Sequence, residues 1–555
     1  MVNATVDSAP AAATDDAEAP PMPFTLENVT QLHRFIALNA PSWQPLPASK
    51  QKLLVCVFPS PPALTAAGLM AQAICRQHNY EPMVVLYGSD TQKNVARALF
   101  TSYGVREFVD VDNIPRIGWW ARRGVRMRLL AHKLAAKMDF EKALDDFVAH
   151  FKVSGVRIGD LLYDYFIRHG QQYHLWPDNR KKWLKHVKEH MAGFMRHMTF
   201  FQQHDIRGIV VCDPVYCFPD AFFLRLAQKF GAKVWVTTGR FCREYQEADD
   251  FEFDRYRFSA QSIARSEFPK TWESEIDAYL SARFSGKIEH HDVQRAYGSK
   301  TAYTRESFLA AIGVAPTDPR PLVFLMPHCF SDANHKCQGH LYRDFFTWYR
   351  GTLAALPRYK DAIWVVRPHP SGPIYGETGI GEKYFREFEC ENVRLAPADL
   401  STDTVLDLAK AVITINGTIG LEAACRGVPI VICANAIYSG LGFTTEPRTR
   451  DDYFALLGRL HEAKPLNDEQ VRAARRALFF YHVLSRPRSG GVTLRVIRPG
   501  SSPQEVLDGF NLAYREMSDG LEKQGGWKND ALWIAIQRML QEKRPVATQP
   551  VDWTE

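Results

Sequence analysis

The sequence lacks any apolar run long enough to cross a bilayer. Its longest runs, Leu53 to Phe58 and Val428 to Ala434, have the length of buried strands and fall well short of the roughly 18 residues a span needs. It also lacks any pair of cysteines at CxxC spacing. The ten cysteines, at 56, 75, 212, 217, 242, 329, 337, 390, 425 and 433, are scattered, and Cys56, Cys212 and Cys433 sit in strand-like runs where a thiol acts as a small hydrophobe. Zinc-ribbon and dithiol-redox readings therefore fall away, and a reducing cytoplasm is the expected compartment. Residues 1–23 are rich in Ala, Pro and Asp but have neither a basic nor an apolar signal region, so they read as a disordered tail. A strong charge of one sign is absent too. The 68 Lys and Arg face 62 Asp and Glu, a net +6 over 555 residues. That fits an anionic substrate, or contact with the inner face of an anionic membrane, and requires neither. No nucleic-acid motif accompanies the basic run Arg180 to Lys188, so no nucleic-acid partner is expected.

What is present is the balance of a soluble α/β protein, with 46% apolar and 23% charged residues. Lys52 to Phe58 reads as a buried strand, Leu64 to Gln77 as a helix and Pro82 to Tyr87 as the next strand, the rhythm of a parallel α/β unit. Residues 114–204 are helical in pattern. Ile209 to Cys212, Pro219 to Phe230 and Lys233 to Thr237 resume the strand–helix–strand order. A second such series runs from Pro321 to Met326, through a helix over Tyr342 to Leu356, to strands at Ala362 to Arg367, Ala411 to Ile415 and Val428 to Cys433. Thr404 to Lys410 and Ile419 to Cys425 read as short helices between them, and two further helices, Pro503 to Lys523 and Asn529 to Lys543, close the chain. The expected domains are a tail (1–23), an N-terminal α/β lobe with a helical insertion (24–310), a C-terminal α/β lobe (311–500) and C-terminal helices (501–555). Ligands of such two-lobed plans bind at the carboxyl ends of the strands.

Three segments of the second lobe carry candidate chemistry. In Val412 to Ala423 a strand runs into the turn Asn416-Gly417 and then a helix from Thr418. Free N–H groups at that helix start form a potential anion site, Gly417 and Gly420 would let a phosphate approach, and Thr418 can donate a hydrogen bond. Glu422, one turn along, could accept from a sugar hydroxyl. In Arg367-Pro368-His369-Pro370 the flanking prolines fix the imidazole, and Arg367 offers a phosphate fork. Met326 to His335 places His328, Ser331, Asp332 and His335 just after a strand. That loop lacks metal-ligand geometry, so no metal is expected; Asp332 is a candidate base, nucleophile or sugar-hydroxyl acceptor, with His328 beside it. In the first lobe Asp213 follows a strand and would face the same cleft, although an Asp-Pro turn explains it equally. Gly155 to Tyr165 reads as a helix start capped by Asp160, with Arg157 and Asp164 nearby.

Taken together, His328 to Asp332, Arg367 to Pro370, Ile413 to Ala423 with Gly427 to Pro429, and Tyr438 to Pro447 resemble the capsule polysaccharide biosynthesis family, bacterial surface-carbohydrate proteins related to capsular Kdo transferases. Gly155 to Asp164 is similar to a segment of the same group. The resemblance implies a GT-B-like fold with two Rossmann-like lobes, and a nucleotide-sugar donor, CMP-activated in related enzymes, held on the C-terminal lobe without metal or other cofactor. It places His369 and Asn416-Gly417-Thr418 on the donor phosphate; Arg367, Gly420, Glu422, Ser331 and Ser439 are the further donor-binding candidates. It leaves Asp213 and Asp332 both open as the catalytic carboxylate, and retention or inversion undecided. The expected activity is transfer of a sugar such as Kdo to a glycan or glycolipid acceptor. A nucleotide-sugar epimerase and a non-catalytic capsule assembly component remain as alternatives.

Overall fold

The computed structural model describes residues 24–114, 139–170, 172–212, 219–246, 256–285, 287, 300–336, 339–494 and 502–550. Alternation of short apolar strands with amphipathic helices closes into two six-stranded sheets. In the first, β1 (Lys52–Cys56), β2 (Glu81–Leu86), β3 (Glu107–Asp110), β6 (Ile206–Val211), β7 (Lys233–Thr238) and β8 (Phe241–Glu244) lie in the order β3-β2-β1-β6-β7-β8. All pairs are parallel except β7–β8. A small hairpin, β4 (Lys152–Val153) and β5 (Val156–Arg157), turns through Ser154 and Gly155, both at positive φ. The second sheet, β9 (Leu322–Leu325), β10 (Ile363–Val366), β11 (Val393–Leu395), β12 (Ala409–Thr414), β13 (Ile430–Ile432) and β14 (Thr444–Thr445), has the order β11-β10-β9-β12-β13-β14 and is parallel throughout. This is the two-lobed, GT-B-like α/β plan.

Both faces of each sheet are covered, as parallel sheets require. Successive side chains of β1 and of β9 go to opposite cores: Leu53 and Val55 to one, Leu54 and Cys56 to the other; Leu322 and Phe324 to one, Val323 and Leu325 to the other. The covering helices of the first lobe are α1 (Thr30–Asn39), α2 (Pro61–His78), α3 (Asp90–Ser102), α4 (Phe140–His150), α5 (Gly159–His169), α6 (Arg180–Gln203) and α7 (Pro219–Phe230). Those that follow are α8 (Ala260–Ala264), α9 (Trp272–Phe284), α10 (Arg305–Ala311), α11 (Phe345–Ala355), α12 (Ile380–Phe385), α13 (Thr402–Leu408), α14 (Ile419–Cys425), α15 (Arg450–Leu457), α16 (Asp468–Phe479), α17 (Pro503–Gln524) and α18 (Ala531–Gln541). None of the described helices is long and apolar enough to cross a membrane.

The packing moves the lobe boundary from where the sequence pattern set it. Phe258, Trp272, Ile276, Leu280, Phe308 and Leu309 pack with Phe324 and Val412 in the second core, so the described part of 256–314 belongs to the second lobe. The C-terminal helices return to the first: Leu507, Phe510, Tyr514, Leu532 and Ile536 join Phe35, Leu69 and Leu99 in its core. Apolar periodicity announces that a helix has a buried face but not which sheet buries it.

Candidate functional site

In the second sheet the chain leaves β9 for β10 and β11 on one side, then crosses to β12 on the other. The crevice between the loops after β9 and β12 is therefore a topological switch point, the place where open α/β sheets bind ligands. Three of the sequence candidates follow neighbouring strands at this edge of the sheet. His328 follows β9, His369 follows β10, and Asn416 to Thr418 follow β12. The rings of His328 and His369 lie 5.4 Å apart at 30°.

His369 is held by its own loop. Its Nδ1 accepts from the Ser371 N–H at 3.1 Å and lies 3.2 Å from Cys329 Sγ. In the neutral ring this places the proton on Nε2. His328 is neutral: burial first, then the charge of Lys336, pushes its pKa down to about 3. Asp332 lies in the same loop, its Oδ2 3.7 Å from His328 Nδ1 and 3.9 Å from Lys336 Nζ. Burial opposes its ionisation, but Lys336 together with the other basic groups around it, Arg168 among them, holds its carboxyl below the usual range. The loop is clamped into this shape. Glu377 accepts from the N–H groups of Phe330 and Ser331, each at 2.8 Å, and from Ser331 Oγ at 2.7 Å. Asn334 bonds to Phe330 O and Phe345 N. Between them Ala333 sits at φ +44°, a left-handed conformation that costs roughly 1–2 kcal/mol for a residue with a Cβ.

At the end of β12 the Gly417 N–H donates to Thr414 Oγ1, and Tyr438 OH donates to Gly417 O. A Cβ at Gly420 would fall 2.1 Å from the Tyr438 hydroxyl. The Tyr438 hydroxyl by itself thus requires glycine at 420. Helix α14 has only seven residues, so its dipole is a small contribution and the side chains must do more. Thr418 is exposed and caps nothing through its side chain. Asn416 is 7% exposed, yet both its Oδ1 and Nδ2 are buried without a hydrogen-bond partner among the described residues. An amide left so costs about 1–3 kcal/mol. It is a polar group at this crevice with no hydrogen-bond partner among the described residues.

Other candidates are turned to structural work. Glu422, expected to face a sugar hydroxyl, is buried and pairs with Arg283 at 2.5 and 2.8 Å. Arg367, expected as a phosphate fork, is buried and donates to Thr402 Oγ1 and Leu400 O. Ser331 donates to Glu377, and Ser439 Oγ accepts from the Ala436 N–H. Asp213 lies outside the described residues. No group of three or more His, Cys, Asp or Glu is placed to hold a metal among the described residues.

The segment from Gly155 to Tyr165 joins the lobes. Asp160 is inside the first turn of α5, not its cap, and pairs with Arg225 and Arg157. Asp164 accepts from the His335 backbone at 2.8 Å and from its Nδ1 at 2.7 Å, and Tyr163 bonds to Asp344. Asp344 also meets His174 and caps α11; burial opposes its charge, but His174 and Arg343 hold it far below the usual carboxylate range. Arg168, four residues beyond Asp164, lays its guanidinium 4.1 Å from the Tyr375 ring and adds positive potential at Asp332. Arg168, Lys336 and Glu377 went unread in the sequence. For Arg168 the signal was the i,i+4 spacing from Asp164; Glu377, far along the chain, had none.

Residues 357–481 match the family model described as capsule polysaccharide biosynthesis protein. The resemblance drawn from the motifs is thus shown over a stretch that includes the His369 and Asn416 turns but not the His328 loop. No curated protein matches. Among solved structures the chain is similar to the beta Kdo 2,4 transferase of Thermosulfurimonas dismutans KpsC, at 14% identity over 49% of this chain and 79% of that one, TM-score 0.31. It is similar also to the beta Kdo 2,7 transferase of the same KpsC (13% identity, 52% and 81% covered, TM-score 0.25). A UDP-GlcNAc 2-epimerase from Neisseria meningitidis matches at 9% identity over 78% and 98%, TM-score 0.27.

Proposed function

Starting from the match of residues 357–481 to the capsule polysaccharide biosynthesis family, we propose that the protein is a nucleotide-sugar-dependent glycosyltransferase of surface-polysaccharide synthesis. The observation that carries this reading is Asn416, an amide buried and without a partner among the described residues at the end of β12, the strand that neighbours β9 across the switch point. A donor nucleotide seated there would give that amide its missing partners.

In this reading the donor phosphate receives a hydrogen bond from His369 Nε2–H and further bonds from Asn416 Nδ2 and Thr418. The sugar's anomeric carbon–oxygen bond breaks, and its electron pair leaves on the phosphate oxygen, where these donors stabilise the charge. The acceptor oxygen bonds to the anomeric carbon and its proton passes to a carboxylate. Asp332, kept ionised beside neutral His328, is suited to take it in an inverting reaction; in a retaining one Asp332 would instead bond to the anomeric carbon as the phosphate leaves, and the acceptor would then displace it and pass its proton to the departed phosphate oxygen. The Glu377 clamp and the strained Ala333 hold that carboxylate in place. The family resemblance supports a CMP-activated acidic sugar such as Kdo as donor and a glycan or glycolipid as acceptor. Exposed Lys181, Lys182, Lys185 and Lys188 on α6, opposite buried Trp183 and Val187, would suit an acceptor at an anionic membrane face.

The test is turnover of CMP-Kdo by His369→Ala. Losing one donor to the developing phosphate charge should lower kcat about 10²-fold with little change in thermal midpoint. Unchanged turnover would remove His369 from the phosphate site, and turnover of UDP-GlcNAc to its 2-epimer by the wild type would move the protein to the epimerase alternative.

A further inference from the structure

Away from the crevice, a second concavity of about 500 Å³ opens on the outer face of the second lobe, between the segment leading into α9 and the helix α16. Its floor is aromatic. Phe268 and Trp272 meet edge to face with centroids 5.7 Å apart, and Trp272 is buried. Its walls are cationic: Lys270, Arg472 and Arg476 against one carboxylate, Glu273.

The three arginines of α16 are not equivalent. Arg472 pairs with Glu273 at 3.1 Å and Arg475 with Asp277 at 2.5 Å. Arg476 has no carboxylate partner among the described residues. Its guanidinium lies 4.0 Å from the Phe268 ring and 5.8 Å from that of Trp272, and burial followed by the charge of Arg472 lowers its pKa. A partly desolvated cation stacked on aromatic rings keeps its in-plane N–H donors available to an anion. The half-buried Phe268 ring beneath it adds apolar surface for the carbon skeleton of a sugar, and the volume suits one or two sugar units.

We propose that this pocket is a second binding site, separate from the nucleotide crevice, for an anionic sugar unit: a pyranose carrying a carboxylate or a phosphate. The two sites lie at opposite ends of α9. Trp272 begins the helix at the pocket, while Arg283 in its last turn reaches Glu422 behind the Asn416 turn, eleven residues or about 16 Å along the axis. A saccharide held here would stay on the enzyme without occupying the donor position.

Calorimetry and saturation-transfer NMR on the full chain test this with glucuronate, glucose 6-phosphate, glucose and inorganic phosphate as probes. Glucuronate or glucose 6-phosphate should bind with millimolar affinity, about tenfold more tightly than glucose. Tighter binding of glucuronate would identify a carboxylate site, and of glucose 6-phosphate a phosphate site. Arg476→Gln should weaken the bound sugar about tenfold, and Lys270→Gln, on an exposed side chain that folding does not need, should weaken it less. Arg475→Gln, outside the pocket, should leave it unchanged. The proposal is overturned if the anionic sugars bind no better than glucose, if inorganic phosphate binds as tightly as the sugar phosphate, or if both pocket variants bind as the wild type does. Nucleotide binding by the Gln variants should be unaltered, which separates failure here from failure at the crevice.

Discussion

In the first lobe the central strand β1 runs out into Phe58 and a proline-rich turn, with the Phe58 ring 48% exposed; in the second, β9 runs out into the His328 loop, clamped by Glu377 and half closed over by α5. The two sheets share one strand order, so their switch points are equivalent. Yet the ends of β1 and β2 offer Phe58 and Tyr87, whereas their counterparts β9 and β10 offer His328 and His369; Asn416 follows β12, and beyond Cys212 the residues after its counterpart β6, Asp213 among them, lie outside the described residues. Topology supplies two crevices and the strand-end residues decide which one suits a nucleotide.

The comparison breaks most sharply at Glu422, which the same motif places one turn from Thr418. Glu422→Ala would strand Arg283 in the interior and should cost about 3–5 kcal/mol in chemical denaturation. A variant of normal stability that had lost nucleotide affinity would return Glu422 to the binding site. Asn416 should behave in the opposite way. Asn416→Leu removes an unsatisfied amide, so stability should hold or rise, while nucleotide affinity measured by calorimetry falls about tenfold. Lost stability with retained affinity would make Asn416 structural.

A smaller effect separates the lobes by pH. Burial pushes His186 and His328 down to about 3 and His197 to about 4, so each stays neutral in the fold. Unfolded, they protonate near 6.5. Between those values the unfolded chain binds more protons, and stability is lost as pH falls from about 6.5 toward 4. Two of the three lie in the first lobe, where burial also lowers His169 and His190. In the second lobe burial raises Glu377, whose proton uptake in the fold adds stability as the pH drops. Hydrogen exchange at pH 7 and pH 5 should show the first lobe loosening more; equal loosening would contradict the assignment of these histidines as buried and neutral.

Much of the fold was legible because its signals are local. Helices α7 and α14 begin and end where the pattern put them, since Pro219 opens one and Gly427 closes the other. The strands β3, β11 and β14 were not legible: they have only two to four residues, too few to show a period, with charged or hydroxyl side chains interrupting each. The site divides along the same line. Turn residues such as His369 and Asn416 announce themselves through neighbouring prolines and glycines. What Arg367, Ser331 and Glu422 do depends on Thr402, Glu377 and Arg283, partners distant in the chain that no local pattern reveals.

The central claim is that the second-lobe crevice holds the donor nucleotide. It is tested most directly by thermal shift with CMP, UDP and GDP on the wild type and on His369→Ala. A nucleotide at 100 times its Kd should stabilise the wild type by about 2.7 kcal/mol, a rise of roughly 5–10 °C for a lobe of this size. The account predicts that rise with CMP and a clear loss of it in His369→Ala. No response to any nucleotide, or an undiminished response in the variant, would contradict it.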